Sequence, residues 1–320
     1  MSAAGYLKNV AILGATGRLG SRFVEELAKT GKHNITALTR DAGGKKLPDG
    51  VQVVGVDYSD EAALVAALKG KDFLAILLPA TAPPQTHTAI VKAAAKAGVP
   101  YVMPNAYGSS DTHESTAEPG PPGYINQVFI DKLKECRSFG VNYISMGCGF
   151  WYDWSLAGGD ERFGFDITSK KVTLFDDGNK QISVSTLQQC GRAFAALLSL
   201  PESGATPSLS DWKNKPLCFN SFRVSQREML ESVQRAQGSS DKDWAIRSEP
   251  SSKRVADGTA VFQKGDYYGM VKVMYSRHFY PGEDIGSEST MANEILGLPR
   301  EDLDEVTKWV VEGVESGKQW

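Results

Sequence analysis

The sequence predicts an α/β protein with a doubly wound parallel sheet and a smaller, mixed C-terminal domain. Apolar runs of strand length alternate with helical patterns over the first third of the chain, and such alternation builds βαβ units with parallel strands. The first strand and the first helix are joined by three glycines spaced G-x-x-G-x-x-G. A glycine turn of this kind after a strand is typical of the Rossmann fold, which binds dinucleotides.

Each element follows from its apolar pattern. Strands are expected at residues 9–13, 34–39, 51–54, 73–78, 99–103 and 141–146. Helices are expected at residues 19–30, 61–68, 85–97 and 124–139. Regular alternation then stops, so residues 1–155 are predicted to form the nucleotide-binding domain and residues 156–320 mainly a substrate-binding or lid domain. Residues 170–184 are expected to form a β-hairpin, and late strands over about 183–224 to return to the first sheet.

The composition is that of an ordinary globular protein. Of 320 residues, 41% are hydrophobic and 23% are charged, and the formal net charge is −3. This balance gives no electrostatic reason for a nucleic-acid or membrane partner, and no apolar run reaches the roughly 18 residues of a membrane span. The first residues do not resemble a secretory leader, so a cytoplasmic location is expected. The four cysteines are far apart, which predicts buried thiols and no metal site.

The glycine turn is predicted to bind phosphate. Without a Cβ, Gly14 can turn the chain sharply, Gly17 lets the backbone approach a pyrophosphate, and Gly20 lets the helix pack close to the sheet. The helix that begins there offers unpaired N–H groups and the positive end of its dipole. The alternative is a purely structural turn, because glycine also marks turns that bind nothing.

The end of the second predicted strand favours NADP(H) over NAD(H). An NAD-specific site places a carboxylate there for the ribose 2′-OH, whereas this sequence has Arg40. A guanidinium suits a 2′-phosphate, and Arg18 in the glycine turn can point to the same place. Asp41 is the argument for NAD(H), and the alternative for Arg40 is a solvated charge. Asp57 can bond either the adenine amino group or the nearby backbone.

An aromatic segment follows the sixth predicted strand. Phe150, Trp151, Tyr152 and Trp154 lie within five residues, at the edge of the sheet where ligands gather. They are expected to form the wall of an apolar pocket, with Phe150, Trp151 and Tyr152 as substrate-binding residues. The alternative is ordinary packing between domains.

The glycine turn with Arg40, residues 104–108 and the segment from Phe150 together resemble one family. They are similar to the isoflavone reductase-like and NmrA-like branch of the atypical short-chain dehydrogenases. Residues 149–156 and 174–179 look most similar to fungal CipA-like members. The resemblance implies NADPH bound across the sheet. It also implies a monomer or small homo-oligomer that reduces small, often aromatic, secondary metabolites.

The resemblance further implies which residues hold the cofactor. Those expected around it are Gly14, Ala15, Thr16, Gly17, Arg18, Leu19, Gly20, Arg40, Leu78, Pro79 and Asn105. Reductases of the isoflavone type carry a lysine in the helix before the sixth strand. The equivalent position here is near Phe129, and Lys132 lies about one turn later.

Three residues are candidate proton donors by their position near the expected nicotinamide end. They are Tyr107, Tyr124 and Lys132, and Tyr107 is also expected to contact the substrate. A structural role is the alternative for each of them. His87, at the start of a predicted helix, is expected to cap that helix or to lie at the surface.

The leading hypothesis is an NADPH-dependent reductase of a small, aromatic electrophile with a C=C, C=O or C=N bond. One alternative is a regulator that binds NADP(H) and a partner protein without turnover, which the missing lysine favours. Another is a non-redox isomerase or cyclase that uses the same pocket. The fold does not separate these hypotheses, because function depends on the residues of the site.

Overall fold

The fold is described by a computed structural model over residues 5–40, 47–108, 121–281 and 291–320, with only the backbone of residues 121–126. Its strands are β1 (Asn9–Leu13), β2 (Asn34–Thr39), β3 (Gln52–Gly55), β4 (Phe73–Ile76), β5 (Tyr101–Met103), β6 (Tyr107–Gly108), β7 (Asn142–Gly147), β8 (Phe150–Trp151), β9 (Phe165–Asp166), β10 (Lys171–Phe175), β11 (Ile182–Ser185), β12 (Lys215–Cys218), β13 (Phe222–Val224) and β14 (Ala245–Glu249). Its α-helices are α1 (Arg18–Lys29), α2 (Glu61–Leu68), α3 (Pro84–Ala97), α4 (Pro121–Ser138), α5 (Tyr152–Leu156), α6 (Leu187–Leu198), α7 (Gln226–Gln237), α8 (Ser251–Gln263), α9 (Tyr267–His278) and α10 (Leu303–Glu315).

The large sheet has the strand order β3-β2-β1-β4-β5-β7-β12, with β6 beside β7. Every neighbouring pair in it is parallel. The order reverses between β1 and β4, and doubly wound sheets bind ligands at the carboxyl ends of the strands on either side of such a reversal. The predicted Rossmann-like α/β fold is confirmed, and its ligand edge lies where β1 and β4 end.

Helices cover both faces of this sheet. On one face α1 and α6 pack together, and the Phe23 and Phe194 rings stack with 4.1 Å between their centroids. On the other face α2, α3 and α4 contribute buried side chains such as Leu64, Ile90 and Leu133. Strand β4 is buried at all positions because both of its faces are covered. Burial of each Phe ring contributes roughly 1.5–3 kcal/mol, so this packing holds α1 firmly against the sheet.

Two smaller sheets and the later helices form a second core. Their orders are β13-β11-β8 and β14-β10-β9, and the aromatic residues between them include Phe163, Phe175 and Phe279. Helices α8 and α9 pack against each other. In the parts of the chain that the structure describes, no helix is both long enough and apolar enough to cross a membrane.

The predicted hairpin at residues 170–184 is wrong. Strand β10 pairs with β14 and β9, whereas β11 pairs with β8 and β13. Both strands are largely buried, so burial against distant partners decides their pairing rather than closeness along the chain. The late strands expected over about 183–224 are divided, because β12 joins the large sheet while β11 and β13 do not.

The turn between β1 and α1 has no room for side chains at two glycines. Gly14 has φ +83°, and a Cβ there would lie 2.1 Å from the Leu77 carbonyl oxygen. A Cβ at Gly20 would lie 2.1 Å from the Gly14 carbonyl oxygen. The first contact lets β1 end directly beside the loop that follows β4, and the second seats the first turn of α1 on the end of β1.

Gly14→Ala is expected to lower the unfolding free energy by more than about 1–2 kcal/mol, the usual cost of a left-handed backbone at a residue with a Cβ. The loss should be larger because the Leu77 carbonyl must also move. The matched control is Gly70→Ala, since Gly70 has φ +74° and nothing within 4 Å of its Cβ position. Urea unfolding of both variants measures the difference. Equal losses of unfolding free energy would contradict the steric role of Gly14.

Candidate functional site

The N-terminus of α1 opens toward the ligand edge of the sheet. Gly17 is its N-cap, and among the described residues no side chain caps the helix and no acidic side chain lies in its first turn. The positive end of the helix dipole and the first N–H groups are therefore left for an anion. Ala15 and Leu19 are buried in the core, so they offer only backbone atoms, and Thr16 is half-buried.

The two predicted phosphate-binding arginines lie in different surroundings. Arg18 donates from Nη2 to the main-chain oxygen of Trp320, and its guanidinium lies 5.8 Å from the centroid of the Trp154 ring. The Arg40 guanidinium lies 5.9 Å from the centroid of the Tyr58 ring. The expectation that Arg18 points to the same place as Arg40 therefore does not fit the structure, because Trp320 and Trp154 hold Arg18.

Arg40 is exposed directly after β2, and its guanidinium lies over the half-buried Tyr58 ring. The Tyr58 hydroxyl donates to the Leu38 carbonyl oxygen at 3.3 Å, which fixes the ring below the guanidinium. A ring and a guanidinium so arranged suit a flat heterocycle that carries an anion. Asp57 instead accepts the N–H and the hydroxyl of Ser59 at 2.9 and 2.8 Å, bonds that lower its pKa. Its side chain thus makes the local backbone bond, and Asp41 lies outside the described residues.

Asn105 joins the ends of β4 and β5. Its Oδ1 accepts the Leu78 N–H at 3.1 Å, and its own N–H donates to His87 Nε2 at 3.3 Å. Its carbonyl oxygen accepts from Lys132 Nζ at 2.7 Å. The structure therefore brings Leu78, Asn105 and Lys132 together at the ligand edge, and Pro79 follows Leu78 at the exposed surface.

His87 is a buried member of this network, so the expectation of a cap or surface residue is wrong. Its exposed fraction is 2%, and its Nδ1 lies 2.6 Å from Glu135 Oε2. Because Nε2 accepts the Asn105 N–H, the ring proton must lie on Nδ1, from which it bonds Glu135. Burial lowers the pKa of His87 although Glu135 opposes this shift, so the ring is held neutral. In the sequence, its burial was indicated by its helical spacing of three and four residues from the buried Ile90 and Val91.

Lys132 is the predicted proton donor that the structure places at the ligand edge. It is half-buried on α4, and burial lowers the pKa of its ammonium group while the charge of Glu135 acts in the opposite direction. A lowered pKa makes an ammonium group a better acid. Tyr124 lies on the same helix, but its side chain falls outside the described residues.

Tyr107 does not fit the predicted roles of proton donor and substrate contact. Its hydroxyl donates to the Ile76 carbonyl oxygen at 3.0 Å, and its ring meets Phe23 edge-on with 6.1 Å between centroids. Burial raises the pKa of its hydroxyl well above the usual value. The phenol therefore points to the α1 side of the sheet and packs there as a structural residue.

The residues of the aromatic segment differ in burial: three are half-buried, and the fourth lies in the second core. Phe150 stacks on Tyr275 with 4.0 Å between centroids, and Trp151 meets Trp154 edge-on at 5.9 Å. Both Phe150 and Trp151 are half-buried, which agrees with a wall. Tyr152 is fully buried and its hydroxyl lies 2.6 Å from Thr307 Oγ1. The prediction of Tyr152 as a substrate-binding residue is wrong because its side chain points into the second core.

A cavity of about 370 Å³ lies between α1, α6 and α10, and its lining includes Arg22, Asp153 and Glu301. Burial raises the pKa of Asp153 to about 6. None of the site residues predicted from the sequence lines this cavity. Within the described ranges no three His, Cys, Asp or Glu side chains are grouped to hold a metal ion, and all four cysteines are buried.

The sheet half of the chain, residues 7–152, matches the family model described as NmrA-like. This stretch is similar to the NmrA-like family and makes up less than half of the 320 residues. The chain is 26% identical over 312 residues to the oxidoreductase aprR of Aspergillus flavus, an alignment that covers 95% of this chain and 99% of the relative. It is 29% identical over 184 residues to the isoflavone reductase homolog A622 of Nicotiana tabacum, covering 53% of this chain and 57% of the relative.

Solved structures share the fold of this chain. A structure described as AtPrR2 with NADP+ and (+)pinoresinol superposes with a TM-score of 0.75 over 96% of this chain and 99% of that one. The two sequences are 17% identical, so this likeness shows the common fold. The predicted isoflavone reductase-like and NmrA-like relationship is confirmed, and the narrower likeness to CipA-like members stays a prediction.

Phe129 marks where this chain departs from the resemblance to isoflavone-type reductases. A Cβ at Gly108 would lie 3.7 Å from Phe129 Cε2, so the Phe129 ring lies beside the loop that follows β5. Lys132 Nζ lies 5.6 Å from the centroid of that ring and reaches the same loop through Asn105. An ammonium group is thus present near the expected place, but it comes from a position about one turn later on α4.

The neutral state of His87 makes a pH-dependent contribution to stability. Its pKa is lower in the folded protein than the usual 6.5, so below about pH 6.5 the unfolded chain binds a proton that the folded chain does not. The unfolding free energy is expected to fall as the pH decreases through this range. His87→Gln removes this contribution, and urea unfolding of both proteins between about pH 5 and 8 measures it.

His33 also has a lowered pKa, but it is common to both proteins, so the difference between their curves isolates His87. If the wild type and His87→Gln give parallel curves, the neutral ring bonded to Asn105 and Glu135 is not the native state.

Proposed function

We propose that this protein is an NADPH-dependent reductase of a small, aromatic electrophile with a C=C, C=O or C=N bond. The observation that carries this proposal is the position of the open α1 N-terminus at the sheet edge, with the aromatic wall at Phe150 and Trp151 following β7. The relatives support it, because one is named an oxidoreductase and another an isoflavone reductase homolog. A small-molecule substrate and a monomer or small homo-oligomer in the cytoplasm complete the proposal.

The residues present fit a bound NADP(H). Because Gly14 and Gly20 leave no room for a Cβ, the N-terminus of α1 lies close to the end of β1, and its uncapped first turn provides N–H groups for the pyrophosphate. Arg40 above Tyr58 suits the 2′-phosphate and the adenine ring. NADPH supplies the hydride when it is bound, and the protein supplies orientation and a proton.

The network around Asn105 orients the nicotinamide end of the site. Its bonds to Leu78 and His87 hold the loops after β4 and β5 in one arrangement. Lys132 holds a proton at Nζ beside the Asn105 carbonyl, where it can pass to a developing anion on the substrate. The half-buried aromatic wall excludes water from the reacting centre.

A regulator that binds NADP(H) without turnover is the second candidate. Phe129 favours it, because an apolar ring stands where reductases of the isoflavone type carry a lysine. The bond from Lys132 to Asn105 favours the reductase, because it keeps an ammonium group at this edge. A non-redox isomerase or cyclase would use the same pocket with the cofactor retained.

Arg40→Ala is expected to weaken NADPH binding by about 1.5–3 kcal/mol, the range for hydrogen bonds to charged groups. NADH binding should weaken less, because NADH has no 2′-phosphate and can lose only the contact of Arg40 with the adenine ring. Calorimetric titration with each cofactor measures both. The control is Arg137→Ala, since Arg137 also lies over a tyrosine ring, that of Tyr143, but on α4. Equal affinity of the wild type for NADPH and NADH would contradict the role of Arg40.

Incubation with NADPH and a panel of quinones, enones and imines tests the function, with the loss of NADPH absorbance as the readout. At least one compound is expected to be reduced. Tight NADPH binding with no oxidation on any member, together with co-purification of a protein partner, would favour the regulator. Conversion of a compound without NADPH consumption would favour the isomerase.

Lys132→Met is expected to lower kcat by about 10²–10⁴-fold, the usual contribution of general acid catalysis, while NADPH affinity is kept. Lys134→Met is the matched control, because Lys134 is exposed on the same helix. Steady-state kinetics and cofactor titration separate the two effects. A rise in the NADPH dissociation constant with unchanged kcat would make Lys132 a positioning residue instead.

A further inference from the structure

A cationic corner lies where the glycine turn meets the second part of the chain, and it consists of Arg18, Trp154 and Arg162. The Arg162 guanidinium carbon lies 3.3 Å from the centroid of the Trp154 ring, and its Nη1 donates to the Trp154 carbonyl oxygen at 2.6 Å. The Arg18 guanidinium lies 5.8 Å from the same centroid. Two guanidinium groups thus approach one indole ring.

No acidic side chain of the described residues neutralises this cationic corner. Arg162 donates to the Trp154 carbonyl and Arg18 to the Trp320 main-chain oxygen, and neither meets an Asp or Glu side chain within the described ranges. Burial lowers the pKa of Arg162, and the charge of Arg18 adds to this effect. Close like charges cost free energy that a bound anion would recover.

Another arginine of the second core shows how such a charge is normally satisfied. Arg254 is fully buried and lies 3.2 Å from Asp160 Oδ2 and 3.0 Å from Glu249 Oε2. Its charge is therefore paired inside the protein, as buried charges usually are. Arg162 is half-buried without such a pair, and its Nε and Nη2 donors have no acceptor among the described residues. The difference leaves these two donors of Arg162 available to the acceptor of a ligand.

The position of Arg162 favours the substrate over the cofactor as the source of this acceptor. Arg162 lies between α5 and β9, close enough to Tyr275 for each group to influence the pKa of the other. Tyr275 stacks on Phe150 in the aromatic wall. The pyrophosphate of a dinucleotide already finds donors at the N-terminus of α1.

We propose that Arg162, with Arg18 beside it, binds an oxyanion on a flat substrate: a carboxylate or phenolate attached to an aromatic or conjugated frame. A guanidinium can donate two parallel bonds to such a group and can stack on its π system. The inference rests on the proposed reductase function, because it names the substrate class of the same pocket. A phosphate oxygen of the dinucleotide is the other source of the same chemistry.

The test compares cinnamate with cinnamamide, which differ in charge but little in shape, by calorimetric titration of the protein saturated with NADP+. The wild type is expected to bind cinnamate about tenfold or more tightly. Arg162→Gln should abolish this preference. Arg162→Lys should keep part of it, because lysine retains the charge but loses the planar fork. Arg227→Gln is the control, since Arg227 lies on α7 with Asp241 at 4.0 Å, and it should keep the full preference.

Titration of NADP+ into Arg162→Gln shows whether Arg162 binds an oxyanion of the substrate or a phosphate oxygen of the dinucleotide. Unchanged NADP+ affinity with a lost preference for cinnamate supports the substrate site. A loss of NADP+ affinity of the same size assigns Arg162 to the cofactor and overturns the proposal. Equal affinity of the wild type for the two probes, or no binding of either, overturns it without any variant.

The NADPH oxidation assays give an independent result. Turnover without a preference for the anion rejects the oxyanion site and leaves the reductase function standing. A preference for the anion without turnover on any compound rejects the reductase function and leaves the oxyanion site standing.

Discussion

The close contact between Gly14 and the Leu77 carbonyl is the constraint on which the rest of the site depends. It brings the end of β1 and the loop after β4 together at the point where the strand order reverses. The same turn seats α1 through Gly20, so that the helix begins at the ligand edge with its N–H groups uncapped. The proposed phosphate site thus depends on missing side chains rather than on particular ones, because only the backbone can come this close.

The loops after β4 and β5 are held by a different principle, a buried and satisfied polar network. Asn105 accepts the Leu78 N–H and donates its own N–H to His87, which supplies an acceptor only in one neutral tautomer. Glu135 selects that tautomer. Burial makes every unmet bond in such a network costly, which is why it holds one geometry. Lys132 is positioned by the same network through the Asn105 carbonyl.

The substrate side of the site is assembled from segments far apart in the sequence. Phe150 meets Tyr275 of α9, and Trp154 meets both Arg162 and Arg18. These segments therefore combine flat aromatic surfaces with two guanidinium groups that meet no Asp or Glu side chain among the described residues. This combination narrows the reductase proposal from any aromatic electrophile toward one that carries an oxyanion.

The sequence by itself determined the features whose causes are local. The parallel sheet, the glycine turn and the strand-end position of Arg40 follow from apolar runs, missing Cβ atoms and spacing along the chain. Tertiary structure alone decided which side chains face the site. Tyr107 and Tyr152 were predicted there but are buried elsewhere, whereas His87 belongs to the network although a surface position was expected. For Tyr107 and Tyr152 the side-chain direction depends on Ile76 and Thr307, which lie too far along the chain to leave a local signal. For His87 the helical spacing indicated burial, but its bond to Glu135, 48 residues away, left no sign in the sequence.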